Sequence, residues 1–95
     1  MELRHLRCFI AVAEERSFSR AAERLHIEQS PLSRTIKKLE SDLGVVLFQR
    51  TSRGTRLTWA GQAFLEDARR VLVALEQAKT NAKRNVSMTL RHRAS

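Results

Sequence analysis

Residues 17 to 43 read SFSRAAERLHIEQSPLSRTIKKLESDL, and the way this stretch divides decides the architecture. Ser17 offers an N-cap oxygen, and after it Phe18, Ala21, Ala22 and Leu25 supply a short apolar face. Residues 18 to 25 are therefore expected to form a helix whose alanines let another helix approach closely. Only His26 to Gln29 separate it from a second periodic segment, where Leu32, Ile36, Leu39 and Leu43 advance by four, three and four. At about 100° per residue these side chains share one narrow stripe. Ser30 is expected to cap this helix, Pro31 fits its first turn, where a missing N–H is no loss, and Gly44 can end it in the left-handed conformation. The helix is expected over roughly 30 to 43. A connection this short between two helices makes a helix-turn-helix corner, here without the glycine that many such corners carry.

Outward from the corner, Leu3, Leu6, Ile10 and Ala13, with Phe9 alongside, mark an amphipathic helix over 3 to 15. On the other side, Val45-Val46-Leu47-Phe48 is a β-branched and aromatic run, followed by Thr51-Ser52-Arg53-Gly54-Thr55 and Arg56-Leu57-Thr58, which together predict a hairpin with a basic tip. Thr58 then caps a last helix that begins near Trp59 and from residue 62 onward meets no proline or glycine. The order of elements defines a mainly α protein, a winged helix-turn-helix followed by a long linker or dimerisation helix. Its expected divisions are 1–58 for the winged domain, 59–87 for the linker helix, and 88–95 for a disordered tail or the start of an interdomain hinge.

The chain of 95 residues carries 18 Lys plus Arg against 10 Asp plus Glu, a net charge of +8 that favours a polyanionic partner. No apolar run is long enough to span a bilayer, and Met1-Glu2-Leu3-Arg4 lacks the apolar core of a signal peptide, so a cytoplasmic protein is expected. A lone cysteine, Cys8, excludes a disulfide framework, and His5, His26 and His92 stand at neither metal-ligand nor triad spacing. No catalytic residue, metal or cofactor is expected. The histidines read as surface residues and Trp59 as a plug between hairpin and helix.

A helix that reads base edges needs a small or polar N-terminal half, because bulky apolar side chains would hold it out of the groove. Gln29, Ser30, Pro31, Ser33 and Arg34 meet that need: Gln pairs with adenine, Arg with guanine, and Ser with several edges. Lys37, Lys38, Arg50, Arg53 and Arg56 are expected at phosphates, with Arg53 at the hairpin tip also able to enter a narrow minor groove. The bland alternative is that Ser30 and Ser33 only solvate a helix end and the lysines form a wet face. Glu28 runs against the pattern, since a carboxylate beside the groove repels phosphate unless it accepts from a cytosine amino group or caps the helix start. Along the last helix, Phe64, Ala68, Val71, Leu75, Ala78 and Ala82 alternate at spacings of four and three, the mark of a seam between two copies, with Leu65 and Leu72 free to pack on the first helix.

The string Ala21-Ala22, Leu25, Gln29, Ser33-Arg34, Ile36, Leu39-Glu40, Leu43-Gly44, Leu47-Phe48, Arg50, Leu57-Thr58 and Ala60-Gly61 resembles the N-terminal domain of LysR-type transcriptional regulators over about residues 1 to 85. The opening M-E-L-R-H-L-R and the S-P-L-S-R stretch are most similar to members controlling breakdown of aromatic compounds. The resemblance implies groove contacts from Gln29, Ser30, Ser33 and Arg34, backbone contacts around Arg53, and antiparallel pairing of linker helices. It also implies a homodimer on double-stranded DNA, with tetramers open to the full-length parent and a small-molecule effector bound only by a domain absent from this chain. From a different class, the rival reading is a winged-helix module whose basic face docks an acidic protein.

Overall fold

A computed structural model describes the backbone of residues 1–94 and the side chains of residues 1–85. Three helices come first, α1 (Leu3–Glu15), α2 (Phe18–Leu25) and α3 (Gln29–Leu43), followed by strands β1 (Phe48–Thr51) and β2 (Gly54–Leu57) and the helix α4 (Trp59–Ala94). The mainly α, winged helix-turn-helix architecture expected from the sequence is the one observed. The expected tail at 88–95 falls where side chains lie outside the described residues.

The core gathers the apolar stripes of all four helices around Phe9, whose ring lies 5.2 Å from that of Phe48 and 5.0 Å from that of Phe64. Leu32 and Leu39 from α3, Val12 from α1 and Leu47 ahead of the wing are fully covered beside it. Each such side chain stabilises the fold by roughly 1.5–3 kcal/mol through removal from water. Ser17 caps α2 as expected, its hydroxyl accepting from the Arg20 N–H at 3.2 Å. The corner then closes on His26, which takes the left-handed conformation at φ 58° in place of a glycine.

Three expectations are corrected. Helix α3 starts at Gln29 with Glu28 as its N-cap residue, so Ser30 sits inside the first turn and does not cap it. Val45 and Val46 lie outside the strand: the Val45 N–H turns back to the Glu40 carbonyl at 3.2 Å, and the Val46 carbonyl accepts the Thr58 hydroxyl. His5 is buried, its Nδ1 accepting the Glu2 N–H at 3.2 Å at the start of α1. A side chain that satisfies an orphan helix-start donor has a reason to be inside.

Two contacts fix the wing on the helices. The Glu40 carboxylate accepts from the Leu47 N–H at 2.7 Å and the Phe48 N–H at 3.4 Å, so the α3 end holds the start of β1. Gly61, in the first turn of α4, lies so close to the Leu47 backbone that a Cβ there would be 2.2 Å from the Leu47 carbonyl oxygen. Only glycine permits that approach.

Candidate nucleic-acid interface

Because Leu32, Ile36 and Leu39 are buried, the helical period turns the other face of α3 to water. Gln29, Ser30, Pro31, Arg34, Lys37 and Lys38 are all exposed there, and Ser33 is half-buried at the edge of the stripe. The N-terminal half of the face thus offers short polar groups and one guanidinium, and its C-terminal half two ammonium groups. Glu28 is exposed at the helix start and its side chain makes no cap hydrogen bond.

The wing pairs Phe48 with Leu57, Gln49 with Arg56, Arg50 with Thr55 and Thr51 with Gly54. Directly opposed residues share a face, so Phe48, Arg50 and Thr55 point one way and Gln49 and Arg56 the other. Arg50 is held rather than free, its guanidinium 4.5 Å from the Phe18 ring centroid. At the tip the Thr51 hydroxyl donates to the Gly54 carbonyl at 2.9 Å and accepts the Arg53 N–H at 3.2 Å, leaving the Arg53 side chain exposed. The Thr55 N–H donates to the Arg16 carbonyl at 3.2 Å, fastening β2 to the turn between α1 and α2.

Charge is sorted across the molecule. Across α1, α2 and α4, Arg24 pairs with Glu14 and Glu15, Arg69 with Glu14, Arg7 with Glu76 and Arg70 with Asp67. Partial burial pushes the Glu14 carboxyl up, but hydrogen bonds and charge from Arg24 and Arg69 outweigh it and hold the group below its ordinary range. Among the described residues, no ion pair engages Arg34, Lys37, Lys38, Arg50, Arg53 or Arg56. The same holds for Arg16, which sequence reading missed because its place beside the wing depends on a contact 39 positions along the chain.

Other expectations meet corrections. Phe64 and Ala68 pack into their own domain's core, so an outward seam on α4 has to begin farther along, where Val71 is 45% exposed, Leu75 half-buried, and Ala78 and Ala82 exposed. Leu65 and Leu72 pack on the core as the sequence suggested. Trp59 plugs nothing: it is 93% exposed at the start of α4. Cys8 is half-buried, and burial pushes its thiol up against the opposing charge of Arg4, which disfavours a reactive thiolate. Among the described residues, no cluster of His, Cys, Asp and Glu could hold a metal, and no helix is long and apolar enough to cross a membrane.

A helix-turn-helix with a basic wing defines a class of regulators, and within it this chain belongs to the lysR family of bacterial regulatory helix-turn-helix proteins, whose pattern matches residues 3–62. It is 58% identical over 83 residues to the HTH-type transcriptional regulator ClcR of Pseudomonas putida, a match covering 87% of this chain and 28% of ClcR. The chain thus spans less than a third of that relative. Its fold is similar to the BenM DNA-binding domain crystallised with catB site 1 DNA, at TM-score 0.88 and 47% identity over 92% of this chain and 98% of that one. It is also similar to the CbnR DNA-binding domain crystallised with DNA, at TM-score 0.84 and 51% identity over 87% of this chain and 95% of that one.

Proposed function

We propose that this chain is the sequence-specific, double-stranded-DNA-binding part of a bacterial transcriptional regulator, acting in the cytoplasm as a dimer on a pseudo-palindromic promoter site and catalysing no reaction. One observation carries the reading: among the described residues, the outward face of α3 and the wing present cations without acidic partners, while Arg7, Arg24, Arg69 and Arg70 on the opposite side are paired with acids within the fold. Gln29, Ser30, Pro31, Ser33 and Arg34 are proposed to lie against base edges, and Lys37, Lys38, Arg50, Arg53 and Arg56 against phosphates or the flanking minor groove. The DNA-bound BenM and CbnR domains support the same reading, and the acidic-partner alternative has no such observation behind it.

Dimerisation is proposed through α4 from Val71 onward, with the two helices antiparallel and the two copies of α3 about one DNA turn, roughly 34 Å, apart. A small-molecule effector would act through sequence outside this chain, and the narrower likeness to regulators of aromatic-compound breakdown is part of the same proposal. Fluorescence anisotropy on random duplex across a salt series tests the reading. The logarithm of affinity should fall linearly with that of salt, at about 0.9 per phosphate neutralised. Arg34→Ala should cost about 1–3 kcal/mol on a site selected from a random pool and relax preference at one base pair. A salt slope near zero for the unaltered chain would overturn the proposal.

A further inference from the structure

Arg16 stands where its side chain needs an explanation. It closes α1 in the left-handed conformation at φ 55°, a backbone state that glycine adopts freely and that costs other L-residues roughly 1 kcal/mol. Two glutamates precede it, yet neither engages it: Glu14 holds Arg24 at 2.8 Å and Arg69 at 2.9 Å, and Glu15 holds Arg24 at 3.2 Å. Arg16 lines a hollow of about 190 Å³ with Arg53, Thr55 and Arg56, with no carboxylate among the lining residues; it also shares a second hollow with Glu14, whose carboxylate Arg24 and Arg69 already hold. Three arginines lining one small concavity bring like charges together, and an anion between them would relieve the repulsion. The Thr55 N–H bond to the Arg16 carbonyl ties the α1–α2 turn to β2, so the backbone keeps the three arginines beside one another.

From this geometry, and resting on the DNA-binding reading above, we propose that Arg16, Arg53 and Arg56 form a cradle for one backbone phosphodiester beside the wing, with Arg16 a phosphate contact in its own right. Arg53 belongs both to the wing tip and to the hollow, so an anion held there is continuous with the backbone that the tip meets. Planar guanidinium forks match phosphate oxygens and place two N–H groups on one anion. The cradle would seat the wing at one phosphate and thereby fix how far Arg53 can reach along the groove.

The test uses Arg16→Gly, which leaves the turn unstrained at positive φ, together with Arg56→Ala and Arg16→Lys. Each variant is first matched to wild type by thermal melting, then titrated with random duplex and with a selected site across salt. If the cradle holds, Arg16→Gly lowers the salt slope by about 0.9, so affinity drops about eightfold at 0.1 M salt and little near 1 M. The factor should be the same on both duplexes, Arg56→Ala should behave alike, and Arg16→Lys should recover most of the slope. A normal wild-type slope that Arg16→Gly leaves unchanged would overturn the cradle alone. A loss confined to the selected site would overturn it too, by making Arg16 a base reader. A wild-type slope near zero would remove the DNA reading and the cradle with it.

Discussion

Replacing Gly61 by alanine adds a single methyl group at the joint between α4 and the wing. That Cβ would meet the Leu47 carbonyl oxygen at 2.2 Å, the Leu47 carbonyl carbon at 3.1 Å and a Leu57 methyl at 2.9 Å. The nearest neighbour is backbone, so it cannot rotate away. To reach an ordinary carbon–oxygen distance of about 3.3 Å or more, α4 must back off by about 1 Å. The Thr58 N–H to Leu47 carbonyl bond, 3.0 Å, and the Thr58 hydroxyl to Val46 carbonyl bond, 2.6 Å, both cross the joint and would stretch or break. Each contributes about 1 kcal/mol net, and overpacking adds about 1–3 kcal/mol, against about 1 kcal/mol gained from alanine's helix propensity. The expected loss is about 2–4 kcal/mol, or a midpoint lower by roughly 10–25 °C for a domain this small. Thermal melting at one fixed protein concentration measures it. Gly44→Ala is the control: no atom lies within 4 Å of its Cβ, so only the φ of 72° costs anything, about 1 kcal/mol. A Gly61→Ala midpoint equal to or above that of Gly44→Ala would refute the close-approach argument.

Other outcomes follow from the same contacts. Glu40→Ala leaves the Leu47 N–H without its 2.7 Å acceptor and should cost about 1–3 kcal/mol in urea melts, whereas Glu40→Gln keeps an acceptor and should cost clearly less. Leu75→Asp places a charge on the exposed length of α4 and should turn a dimer into a monomer in sedimentation at micromolar concentration while leaving the fold of residues 1–58 intact by circular dichroism; a dimer that persists would move the seam elsewhere. Because the Glu14 carboxyl is held below its ordinary range in the fold, its contribution is present above the unfolded value and fades as pH falls through the folded one. Stability should therefore decline on acidification below the ordinary carboxylate range less steeply in Glu14→Gln than in wild type, and equal pH profiles would show that the arginines do not act on Glu14.

How far the fold could be read from the sequence depended on whether the deciding signal was local. The stripe Leu32, Ile36, Leu39, the Ser17 and Thr58 caps and the Gly44 stop are set by spacings of a few residues, and all appear in the structure. Signals that act across the chain were not legible. Val45 and Val46 read as strand by β-propensity, but the Glu40 carboxylate takes the next two backbone donors and delays pairing until Phe48. Phe64 and Ala68 fit a seam by period, yet the same period also fits packing on Phe9, and only the tertiary arrangement decides between them. The outward face of α3 was legible because burying one stripe dictates the other. Arg16 was not, because nothing near position 16 announces a hairpin tip nearly forty residues away.

The sorting of charge links the scaffold to its proposed role. Exposed ion pairs such as Arg69 with Glu14 and Arg7 with Glu76 contribute only about 0–1 kcal/mol each, so they are a weak reason for α4 to lie on α1; the apolar contacts of Leu65, Ala68 and Leu72 do that. Their effect on the field is larger than their effect on stability. A paired cation and anion cancel beyond a few ångströms, whereas an unpaired cation is felt out to the Debye length, about 8–10 Å in physiological salt. An approaching polyanion therefore senses Arg34, Lys37, Lys38, Arg53, Arg56 and Arg16 more than the paired Arg7, Arg24, Arg69 and Arg70. A net charge of +8 spread evenly would attract DNA in every orientation. With Glu14, Glu15, Asp67 and Glu76 pairing cations on the far side, the same charge would orient the encounter so that α3 and the wing arrive first, and the base reading proposed for Gln29 and Arg34 would begin from a docked register.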